Sequence, residues 1–521
     1  MTSAAQDAVF WDPYNPELIA DPYPMFGRLR EEAPLYYNEE YDFYAVSRYE
    51  DVERGLQDRD TFISGKGVVL EYIKANLETP KGVFIFEDPP LHTIHRKLLT
   101  RVFTPKKMND LQPLVRTYCA EALDPLLGTG RFDFVKDLGA QMPMKVIGML
   151  LGIPEEDQQA VRQRADDSLR TEVGKPQEFL PGHNFAGEGF DDYIDWRAKN
   201  PSDDLMTELL LAEFEDETGT TRRLSREEVL IFINILSSAG NETTNRLIGW
   251  TGKVLGDHPD QRRQICADRA LIPQTIEEVL RFEPPPHHIA RYVARDVELH
   301  GQTVREGSVM IFLNAAANRD PRKFSAGDSF DIHRERVPHL AFGHGFHSCL
   351  GNALARAEGR VALDEILNRF PEWDVDLDNA WISPTSSVRG WEQLPARTDG
   401  TKPQRLRARV TVGKPEPLVA TAAPEGPGDV WNLVLETPMG PQKMVARLAV
   451  DDAAVSGAIR SEMGSEPVSG TAAGDVLSWT MKVTKPMSLE LGFTVKRAGD
   501  TMSGEVTLGA FGSAKISGTR A

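Results

Sequence analysis

Cysteine is scarce in this chain, and several other features that define classes of protein are missing. Three cysteines occur among 521 residues. They are too few and too widely spaced for a disulfide framework, so we expect a reducing compartment. The formal net charge of -19 argues against a nucleic-acid or anionic-membrane partner. No apolar run near the N-terminus is long enough for a signal peptide or a membrane anchor. These absences predict a soluble, cytoplasmic protein.

One cysteine lies in a glycine-rich segment, residues 342–351, which has the sequence FGHGFHSCLG. Cys349 stands directly before a run that favours a helix from Asn352 to about Phe370. The free N–H groups and the positive dipole end of such a helix favour the thiolate, the form that binds metals or attacks electrophiles. The glycines remove side-chain bulk, so that a flat group can approach the backbone closely.

Four interpretations of Cys349 are open. The first is a small buried apolar residue in a turn. The second is a zinc site, which needs further ligands at short spacing, whereas Cys119 and Cys266 lie far away in helix-like segments. The third is a Cys–His catalytic dyad, although His347 is two residues away and such dyads usually come from separate elements. A single thiolate with open space above it best suits the fourth, an axial ligand to haem iron.

The glycine-rich segment resembles the haem-binding signature of the cytochromes P450, FGxGxHxCxG, and fills every specified position. The resemblance implies that Cys349 is the axial ligand of the iron in haem b (iron protoporphyrin IX) and that Phe342 packs near its sulfur. It also implies that His347 reaches a haem propionate. Gly343 and Gly351 would let the porphyrin approach the backbone.

Upstream, Glu278 and Arg281 form an ExxR pair, which at helical spacing lies on one helix face. Most such pairs are solvated surface contacts worth under about 1 kcal/mol. In cytochromes P450 the equivalent pair is buried, and an arginine from the loop before the cysteine joins it. The resemblance implies that Arg334 or Arg336 is this third structural residue, and Arg334 is the better match to the family's FDxxR pattern.

A glycine followed by polar residues interrupts an apolar helix pattern in the stretch ILSSAGNETTN. One interpretation is a helix that ends here, with a cap near Asn241 or Thr243. The stretch also resembles the AGxETT part of the P450 distal helix. That resemblance implies that Ala239 and Gly240 belong to a bulge for dioxygen, and that Glu242 and Thr243 deliver protons for oxygen activation.

Three further residues resemble the family's propionate-binding groups. His92 and Arg96 lie one helical turn apart, so that their side chains point the same way. As a lone pair they would more often be part of a surface face, but bacterial P450s carry an HxxxR pair here that holds haem propionates. Arg291 matches the family's other propionate-binding arginine, a task that suits a bidentate guanidinium. We expect His95 and Arg295 to be ordinary polar residues.

The resemblance covers residues 10–397, about three quarters of the chain, and implies the mainly α fold with minor β of the cytochromes P450. Residues 1–397 are therefore the predicted haem domain. Residues 398–427 contain several prolines and alanines and are predicted to be a linker. Residues 428–521 show short alternating segments and glycine-bearing turns, which predict a small all-β domain, an antiparallel sandwich or barrel.

An apolar-Ser-Gly triplet recurs in the all-β part, starting at Val455, Val468, Met502 and Ile516. The intervals suit repeated hairpins, with room for one degenerate copy in the longest gap. Turn chemistry common to any β-protein is the simpler explanation. A lipocalin-like barrel is the nearest likeness, and its ligand and role are not specified by the sequence.

The chain shows no electron donor of its own. Residues 428–521 contain no cysteine, which excludes an iron–sulfur cluster held by thiolates there. They are also too few for a flavin reductase joined to a nicotinamide domain, and no GxGxxG fingerprint occurs. We therefore expect ferredoxin and ferredoxin reductase as separate partners.

Together the motifs predict a haem-thiolate monooxygenase that inserts one oxygen atom from O2 into a small apolar substrate of terpenoid, steroid or fatty-acyl type. A peroxide-driven peroxygenase and a non-catalytic haem-based sensor are the alternatives. The presence of both Glu242 and Thr243 argues against them. The sequence does not specify the substrate, the regioselectivity or the oligomeric state.

The substrate pocket is expected between residues 62–86 and residues 167–193. The first of these segments mixes apolar side chains with charged residues and glycines. His287 and His288, which follow a triple proline, either enter the pocket or lie at the surface.

Overall fold

The computed structural model describes residues 9–179, 185, 190–385, 387–400, 412–413, 424, 426–437, 440–461, 464–483, 489–507 and 513–521. The chain divides into two compact units, residues 1–413 and 414–521. A mainly α unit followed by a small all-β unit confirms the predicted fold class. The first unit extends past residue 397, since the amide of Gly413 donates to the carbonyl of Ile382 at 2.7 Å. Most of the predicted linker lies outside the described residues.

All sixteen α-helices of the described residues lie in the first unit. They are α1 (Pro16–Ala20), α2 (Tyr23–Glu32), α3 (Tyr49–Gln57), α4 (Leu70–Ala75), α5 (Leu91–Thr100), α6 (Pro105–Asp110), α7 (Gln112–Leu123), α8 (Met142–Leu151), α9 (Glu155–Leu169), α10 (Asp191–Lys199), α11 (Leu205–Leu211), α12 (Arg226–Asp257), α13 (Pro259–Ala267), α14 (Ile272–Phe282), α15 (Asn314–Ala317) and α16 (Asn352–Arg369). In the part of the chain that the structure describes, no helix is long and apolar enough to cross a membrane.

The longest helix, α12, runs unbroken through the polar stretch at which the sequence allowed a helix end. A capping box starts it, because Ser225 and Glu228 each accept the other's backbone N–H at 3.1 and 2.7 Å. Buried apolar residues on both sides of the polar stretch pack this helix against α8, α14 and α16. The interpretation of a cap near Asn241 or Thr243 is therefore wrong, because tertiary packing outweighs the local loss of helix propensity.

Fourteen short strands lie in the described residues of the first unit. They are β1 (Leu35–Asn38), β2 (Phe43–Val46), β3 (Phe62–Ile63), β4 (Arg131–Asp133), β5 (Glu213–Glu215), β6 (Thr221–Arg223), β7 (Ile289–Val293), β8 (Val297–Leu299), β9 (Gln302–Val304), β10 (Val309–Phe312), β11 (Asp374–Val375), β12 (Trp381–Ile382), β13 (Trp391–Gln393) and β14 (Pro395–Arg397). One sheet has five strands in the order β1-β2-β10-β7-β3. In it β10 pairs in parallel with β2 and antiparallel with β7, with Met310 opposite Arg291.

Helices α12 and α16 cross closely at the centre of the main core. Gly359 permits this approach, since a Cβ there would lie 3.1 Å from Leu247 and 3.3 Å from Ile276 of α14. The neighbouring Glu358 is 1% exposed. The crossing therefore carries a carboxyl group into the interior, next to the polar stretch of α12.

His287 and His288 are buried against the N-terminal segment, 6% and 7% exposed. The ring of His288 meets the ring of Trp11 edge-on, with centroids 5.6 Å apart. His287 lies 6.1 Å from the rings of both Tyr23 and Phe26. Burial lowers the pKa of His288 to about 4 and that of His287 well below its usual value. The expectation of a surface position is wrong, because aromatic neighbours enclose both rings.

The second unit is a closed antiparallel barrel of eight strands. They are β15 (Asp429–Thr437), β16 (Gly440–Asp451), β17 (Ala454–Ser461), β18 (Gly464–Ala473), β19 (Val476–Val483), β20 (Leu489–Ala498), β21 (Thr501–Thr507) and β22 (Ser513–Arg520). Each strand pairs with the next along the chain, and β22 pairs back with β15, where Leu433 lies opposite Gly518. Of the two predicted architectures, the barrel is the one that forms.

Apolar side chains at alternating positions form a single core in the barrel. It includes Trp431, Leu433, Ala446, Val468, Trp479, Phe493, Val495 and Ile516, each at most 3% exposed. The rings of Trp479 and Phe493 are stacked, with centroids 5.0 Å apart. Alternation of this kind is what a strand requires when one face is buried and the other solvated.

The apolar-Ser-Gly triplets lie in strands and face one another across two hairpins. In β17 and β18 the apolar residue of each triplet lies opposite the glycine of the other, and β21 and β22 repeat the arrangement: Val455 faces Gly470, Gly457 faces Val468, Met502 faces Gly518 and Gly504 faces Ile516. The long interval between the second and third triplets contains β19 and β20. The triplets are therefore a packing device of the strands, and the explanation by turn chemistry is wrong.

Two of these glycines allow equivalent strand contacts in the two halves of the barrel. A Cβ on Gly457 would collide with the carbonyl oxygen of Arg447 on β16, and one on Gly504 with the carbonyl oxygen of Thr494 on β20. Both glycines lie in the third strand of a four-stranded set, β15–β18 or β19–β22. The barrel thus consists of two similar halves, each with a close backbone approach at the same place.

We expect Gly457→Ala and Gly504→Ala each to destabilise the barrel by about 2 kcal/mol, because the added methyl overpacks a backbone contact. Hydrogen exchange of barrel peptides in the full-length protein measures the loss of protection. Ser456→Ala and Ser503→Ala are matched controls, since these neighbours are exposed. Equal protection in the glycine and serine variants would contradict the proposed packing role.

We expect acid to destabilise the first unit partly through His288. Its folded-state pKa of about 4 lies below the usual 6.5, so stability is complete above pH 6.5 and is lost as the pH falls toward 4. At pH 5 the free energy of unfolding is lower by about 2 kcal/mol than above pH 6.5 because of this group. Thermal unfolding between pH 7 and pH 5 should therefore depend less on pH in His288→Phe than in the wild type. Parallel pH profiles would show that His288 does not contribute.

Candidate active site in the first unit

A cavity of about 270 Å³ lies between α12, α16 and the glycine-rich segment that carries Cys349. Its wall is mainly apolar and includes Phe84, Ile85, Ile147, Ile235, Leu236 and Ile289. The polar groups that reach it include Cys349, Thr243, Thr244, Glu358 and Arg96. An apolar cavity with few converging polar groups is typical of a site for a small molecule or a cofactor.

The backbone of the cysteine segment folds so that the thiol faces this cavity. The amide of Cys349 donates to the carbonyl of Phe342 at 2.8 Å. Gly343 and Gly345 have φ of +66° and +72°, and a Cβ on Gly345 would lie 2.9 Å from the carbonyl oxygen of Leu56. Both positions favour glycine, because a side chain would be strained at a positive φ. At Gly345 it would also collide with the neighbouring backbone.

The thiol does not ionise easily in these surroundings. Burial raises the pKa of Cys349, and the N–H of Gly351 together with Arg96 and Arg356 opposes this only in part. The N–H at the start of the following helix does favour the thiolate, but desolvation by burial is the larger effect. A bound metal cation supplies the missing stabilisation of a thiolate.

The rival interpretations of the cysteine gain little from the structure. Cys119 lies buried in α7 and Cys266 in α13, both away from Cys349. Among the described residues, no group of three or more His, Cys, Asp or Glu could hold a metal ion. Nε2 of His347 lies 2.9 Å from the carbonyl oxygen of Glu87, so this nitrogen is not available to a Cys–His dyad. A thiol that faces an open apolar space leaves the axial-ligand interpretation as the best supported.

Two histidines and two arginines cluster beside the thiol. The rings of His92 and His347 lie 3.9 Å apart, and Arg96 and Arg291 both act on these imidazoles. Burial lowers the pKa of His92 to about 4 and that of Arg291 to about 10. Because buried cationic groups are costly without anions, this cluster calls for an acidic partner.

The polar atoms of the donor cluster fit the acidic edge of a haem. Both ring nitrogens of His92 are buried without a hydrogen-bond partner. Arg291 donates to the carbonyl of Ala290 at 2.9 Å and forms no ion pair among the described residues. Arg96 donates to the carbonyl of Ser348 at 2.5 Å. Orphaned donors beside an apolar cavity and a thiol match the carboxylates, the flat ring and the iron of haem.

The polar stretch of α12 presents small and hydroxyl groups to the cavity. Ala239, Gly240, Thr243 and Thr244 line it, and the hydroxyl of Thr243 donates to the carbonyl of Ala239 at 2.8 Å. A Cβ on Gly240 would lie 3.0 Å from Cγ1 of Ile147. The α-helix is continuous here, and the glycine permits close packing with α8. The bulge for dioxygen expected at Ala239 and Gly240 stays a prediction.

Glu242 is not brought into the cavity. Its carboxylate is 2% exposed and pairs with Arg246 one turn along α12. Arg246 also pairs with Glu392 at 3.0 Å and donates to the carbonyl of Trp391, and Glu392 continues to Arg170. A buried guanidinium thus holds Glu242 away from the cavity that Thr243 lines, and the expected joint action of the two residues stays a prediction. An arginine at position i+4 was the signal in the sequence.

Thr244 and Glu358 are cavity residues that the sequence did not single out. The hydroxyl of Thr244 donates to Oε2 of Glu358 at 3.3 Å, and burial raises the pKa of Glu358 to about 8. The two residues come from different helices, so their spacing in the chain carries no signal. A glutamate among apolar residues of α16 was the available hint.

The structural triad predicted beneath the cysteine segment comes together in the interior. Glu278 and Arg281 are each 2% exposed, and their side chains pair at 2.7 Å. Nε of Arg334 donates to Glu278 at 3.0 Å. Arg336 instead donates to Gln274 at 2.6 Å. Arg281 also donates to the carbonyls of Asn318, Gly327 and Ser329, so the triad ties α14 to the chain that leads to the cysteine.

The predicted pocket segments contribute unequally to the cavity. Phe84 and Ile85 of the first segment line it, whereas part of residues 167–193 lies outside the described residues. His287 and His288 are not among the residues that line the cavity. The expectation that they enter the substrate pocket is therefore wrong.

His95 and Arg295 differ from each other in their surroundings. Nδ1 of His95 contacts the Glu87 carboxylate at 2.8 Å in the interior, so His95 is a buried structural residue. Arg295 is largely exposed and contacts Thr61 and Asp58 at 2.9 and 3.8 Å. Neither residue lines the cavity; His95 is a polar residue of the interior and Arg295 one of the surface.

Comparison with known proteins places these features in a family. A sequence model of the cytochrome P450 family matches residues 159–388. A protein of Mycobacterium tuberculosis described as a cytochrome P450 is 38% identical over 389 residues, which are 74% of this chain and 96% of the relative. The 6-deoxyerythronolide B hydroxylase of Saccharopolyspora erythraea is 32% identical over 397 residues, 73% of this chain and 96% of the relative.

A solved structure resembles the same part of the chain. CYP109E1 from Bacillus megaterium in complex with testosterone has a TM-score of 0.67 and 28% sequence identity. The match covers 74% of this chain and 99% of that protein. The likeness therefore extends over the whole length of these relatives but not over the whole of this chain.

We expect Arg291→Leu to accelerate haem loss about tenfold or more, because a charge-assisted contact to a carboxylate is worth about 1.5–3 kcal/mol. Transfer of haem to excess apomyoglobin measures the rate. Arg295→Leu is the matched control, since this arginine is exposed and lies just beyond the end of β7. Equal rates in the two variants would contradict a role for Arg291 in holding the cofactor.

Proposed function

The chain belongs to the cytochrome P450 family of haem-dependent monooxygenases, and we propose that it oxidises a small apolar substrate with electrons from a ferredoxin system. The observation that carries this proposal is the mainly apolar cavity into which Cys349, Thr243 and the donor cluster converge. Family membership gives the reaction class and the haem cofactor. The substrate class and the donor rest on the chemistry of this chain.

Haem supplies the iron at which O2 is activated. Cys349 would hold that iron, and the glycines of its segment leave its sulfur open to the cavity. Arg96 and Arg291 would neutralise the carboxylates at the edge of the ring, with His92 and His347 as neutral hydrogen-bonding partners beside them. Each of these residues would position the cofactor in the cavity.

Thr243 would hold and orient a proton at the oxygen-binding side. Its Oγ1 donates to the carbonyl of Ala239, which fixes the rotamer and leaves the lone pairs of the oxygen toward the cavity. A hydroxyl fixed in this way can accept a proton from one neighbour and pass its own to another. This role agrees with a monooxygenase and is not needed in a haem sensor.

An apolar substrate is supported by the cavity wall on the Thr243 side. Phe84, Ile85, Ile235 and Ile289 offer dispersion contacts and no hydrogen bonds there. One relative is named a 6-deoxyerythronolide B hydroxylase, and another was solved in complex with testosterone. A terpenoid, steroid or fatty-acyl compound is therefore the proposed substrate class.

The proposed electron source is a separate ferredoxin with its reductase. Bacterial members of the family typically use redox partners, and residues 428–521 contain no cysteine to hold an iron–sulfur cluster. Turnover with peroxide alone would instead favour a peroxygenase. A panel of terpenoids, steroids and fatty acids, screened for the substrate-induced change of haem spin state, would identify the substrate.

We expect Thr243→Ala to divert most electrons from product to hydrogen peroxide, because proton delivery to the cavity is lost. Product and peroxide are measured per electron supplied by a surrogate ferredoxin system. Thr251→Ala is the matched control: its hydroxyl makes the same bond to the residue four positions earlier, yet it does not line the cavity. The reduced, carbon monoxide-bound spectrum should remain that of a haem thiolate in both variants. Unchanged coupling in Thr243→Ala would overturn the assigned role.

A further inference from the structure

Val412 and Gly413, which precede the barrel in the chain, lie against the first unit. Val412 forms a parallel bridge with Ile382 of β12, and the amide of Gly413 donates to the carbonyl of Ile382 at 2.7 Å. Gly413 is buried, and Val412 packs against the apolar core of this unit. These two residues, which we call the strap, are therefore bound to β12 by the hydrogen bonding of a sheet.

The strap also contacts the segment that follows α9. A Cβ added to Gly413 would lie 2.4 Å from Cγ2 of Val173, so only glycine permits this close approach. Two residues before Val173, the amide and the hydroxyl of Thr171 donate to the carbonyl of Pro384 at 2.7 and 2.6 Å. The chain after α9 therefore contacts both the strap and the hairpin that joins β12 to β13.

Phe185 belongs to the same segment and packs behind the cavity wall. Its ring lies 5.8 Å from the ring of Phe86, which follows the cavity residue Ile85 in the chain. Its carbonyl accepts a hydrogen bond from Nδ2 of Asn234 at 3.0 Å, and the next residue of α12, Ile235, lines the cavity. The segment after α9 therefore supports two parts of the wall.

The hairpin between β12 and β13 supports a third part of the wall. The amide of Arg389 donates to the carbonyl of Pro285 at 2.8 Å, and Val388 forms an antiparallel bridge with Pro286. Both prolines line the cavity. The strap is bound to this hairpin and touches the segment after α9, so it lies where the two supports of the cavity wall meet.

We propose that the strap positions the cavity wall, so that the chain leading to the barrel sets how long a ligand stays in the cavity. With the strap bound to β12 and in contact with Val173, the wall closes around the ligand. When the strap is released, the hairpin and the segment after α9 loosen together, and the ligand leaves faster. The inference rests on the proposed function for the kind of ligand, an apolar substrate bound beside haem.

Gly413→Ala tests the strap, because the added methyl collides with Val173 and displaces it. The probe is 4-phenylimidazole, which combines a nitrogen ligand for haem iron with an apolar ring. In the haem-loaded, full-length protein we expect it to dissociate about tenfold faster from Gly413→Ala than from the wild type, as measured by displacement with carbon monoxide. Gly400→Ala is the matched control: its φ of +79° is close to the +77° of Gly413, but an added Cβ would meet nothing within 4 Å. Equal rates in the two variants would overturn the proposal.

A reversible cross-link tests the closed state. A Cβ on Gly413 would lie 3.8 Å from Cβ of Val173, within the range of about 3.5–4.5 Å that a disulfide needs. In the double variant Gly413→Cys/Val173→Cys, the oxidised form should release 4-phenylimidazole about tenfold more slowly than the reduced form. Val173→Cys alone is the control and should show no dependence on redox state. The proposal fails if both forms of the double variant release the probe at one rate, or if the disulfide does not form.

These rates are measured without turnover, so they separate the inference from the proposed function. A wild type that binds the probe but oxidises no member of the terpenoid, steroid and fatty-acid panel would contradict the proposed function and leave the role of the strap standing. A wild type that oxidises its substrate, with strap variants that match their controls, would contradict the inference alone.

Discussion

The buried donor cluster of His92, Arg96, Arg291 and His347 is the constraint on which the rest of the first unit depends. These groups come from α5, β7 and the cysteine segment. In the described residues both ring nitrogens of His92 are without a hydrogen-bond partner, and the charge of Asp88 acts on Arg291 without forming an ion pair. An acidic ligand that completes such a cluster stabilises the fold that encloses it. Haem therefore belongs to the folded structure of this unit as much as to its chemistry.

Helix α12 separates a buried ion network on one side from the cavity on the other. On one side Arg246 gathers Glu242 and Glu392 into a buried ion network, and on the other the helix faces the cavity with hydroxyl groups. The network is costly to bury unless every charge is matched. The network holds these charges away from the cavity, so a neutral acid such as Glu358 can lie on the cavity side of the helix.

The sequence predicted those parts of the site that depend on local pattern. The cysteine segment, the ExxR pair and the two-unit fold each follow from short spacings or periodicities that the backbone must satisfy. The sequence misjudged what depends on three-dimensional surroundings. The pKa of Cys349, the pairing of Glu242, the burial of His287 and His288 and the contact of Thr244 with Glu358 are set by elements far apart in the chain, and no local spacing encodes them.

The closure of the barrel by β15 and β22 brings its two ends side by side, since the amide of Ala521 donates to the carbonyl of Val430 at 2.9 Å. A circular permutant that joins these ends and opens the two-residue turn at Gly474 and Asp475 would keep every strand pair. The halves β15–β18 and β19–β22 carry their triplets at corresponding places. The permutant would therefore carry the triplets at the same strand positions along its chain as the natural barrel. The topology therefore does not depend on which half comes first in the chain.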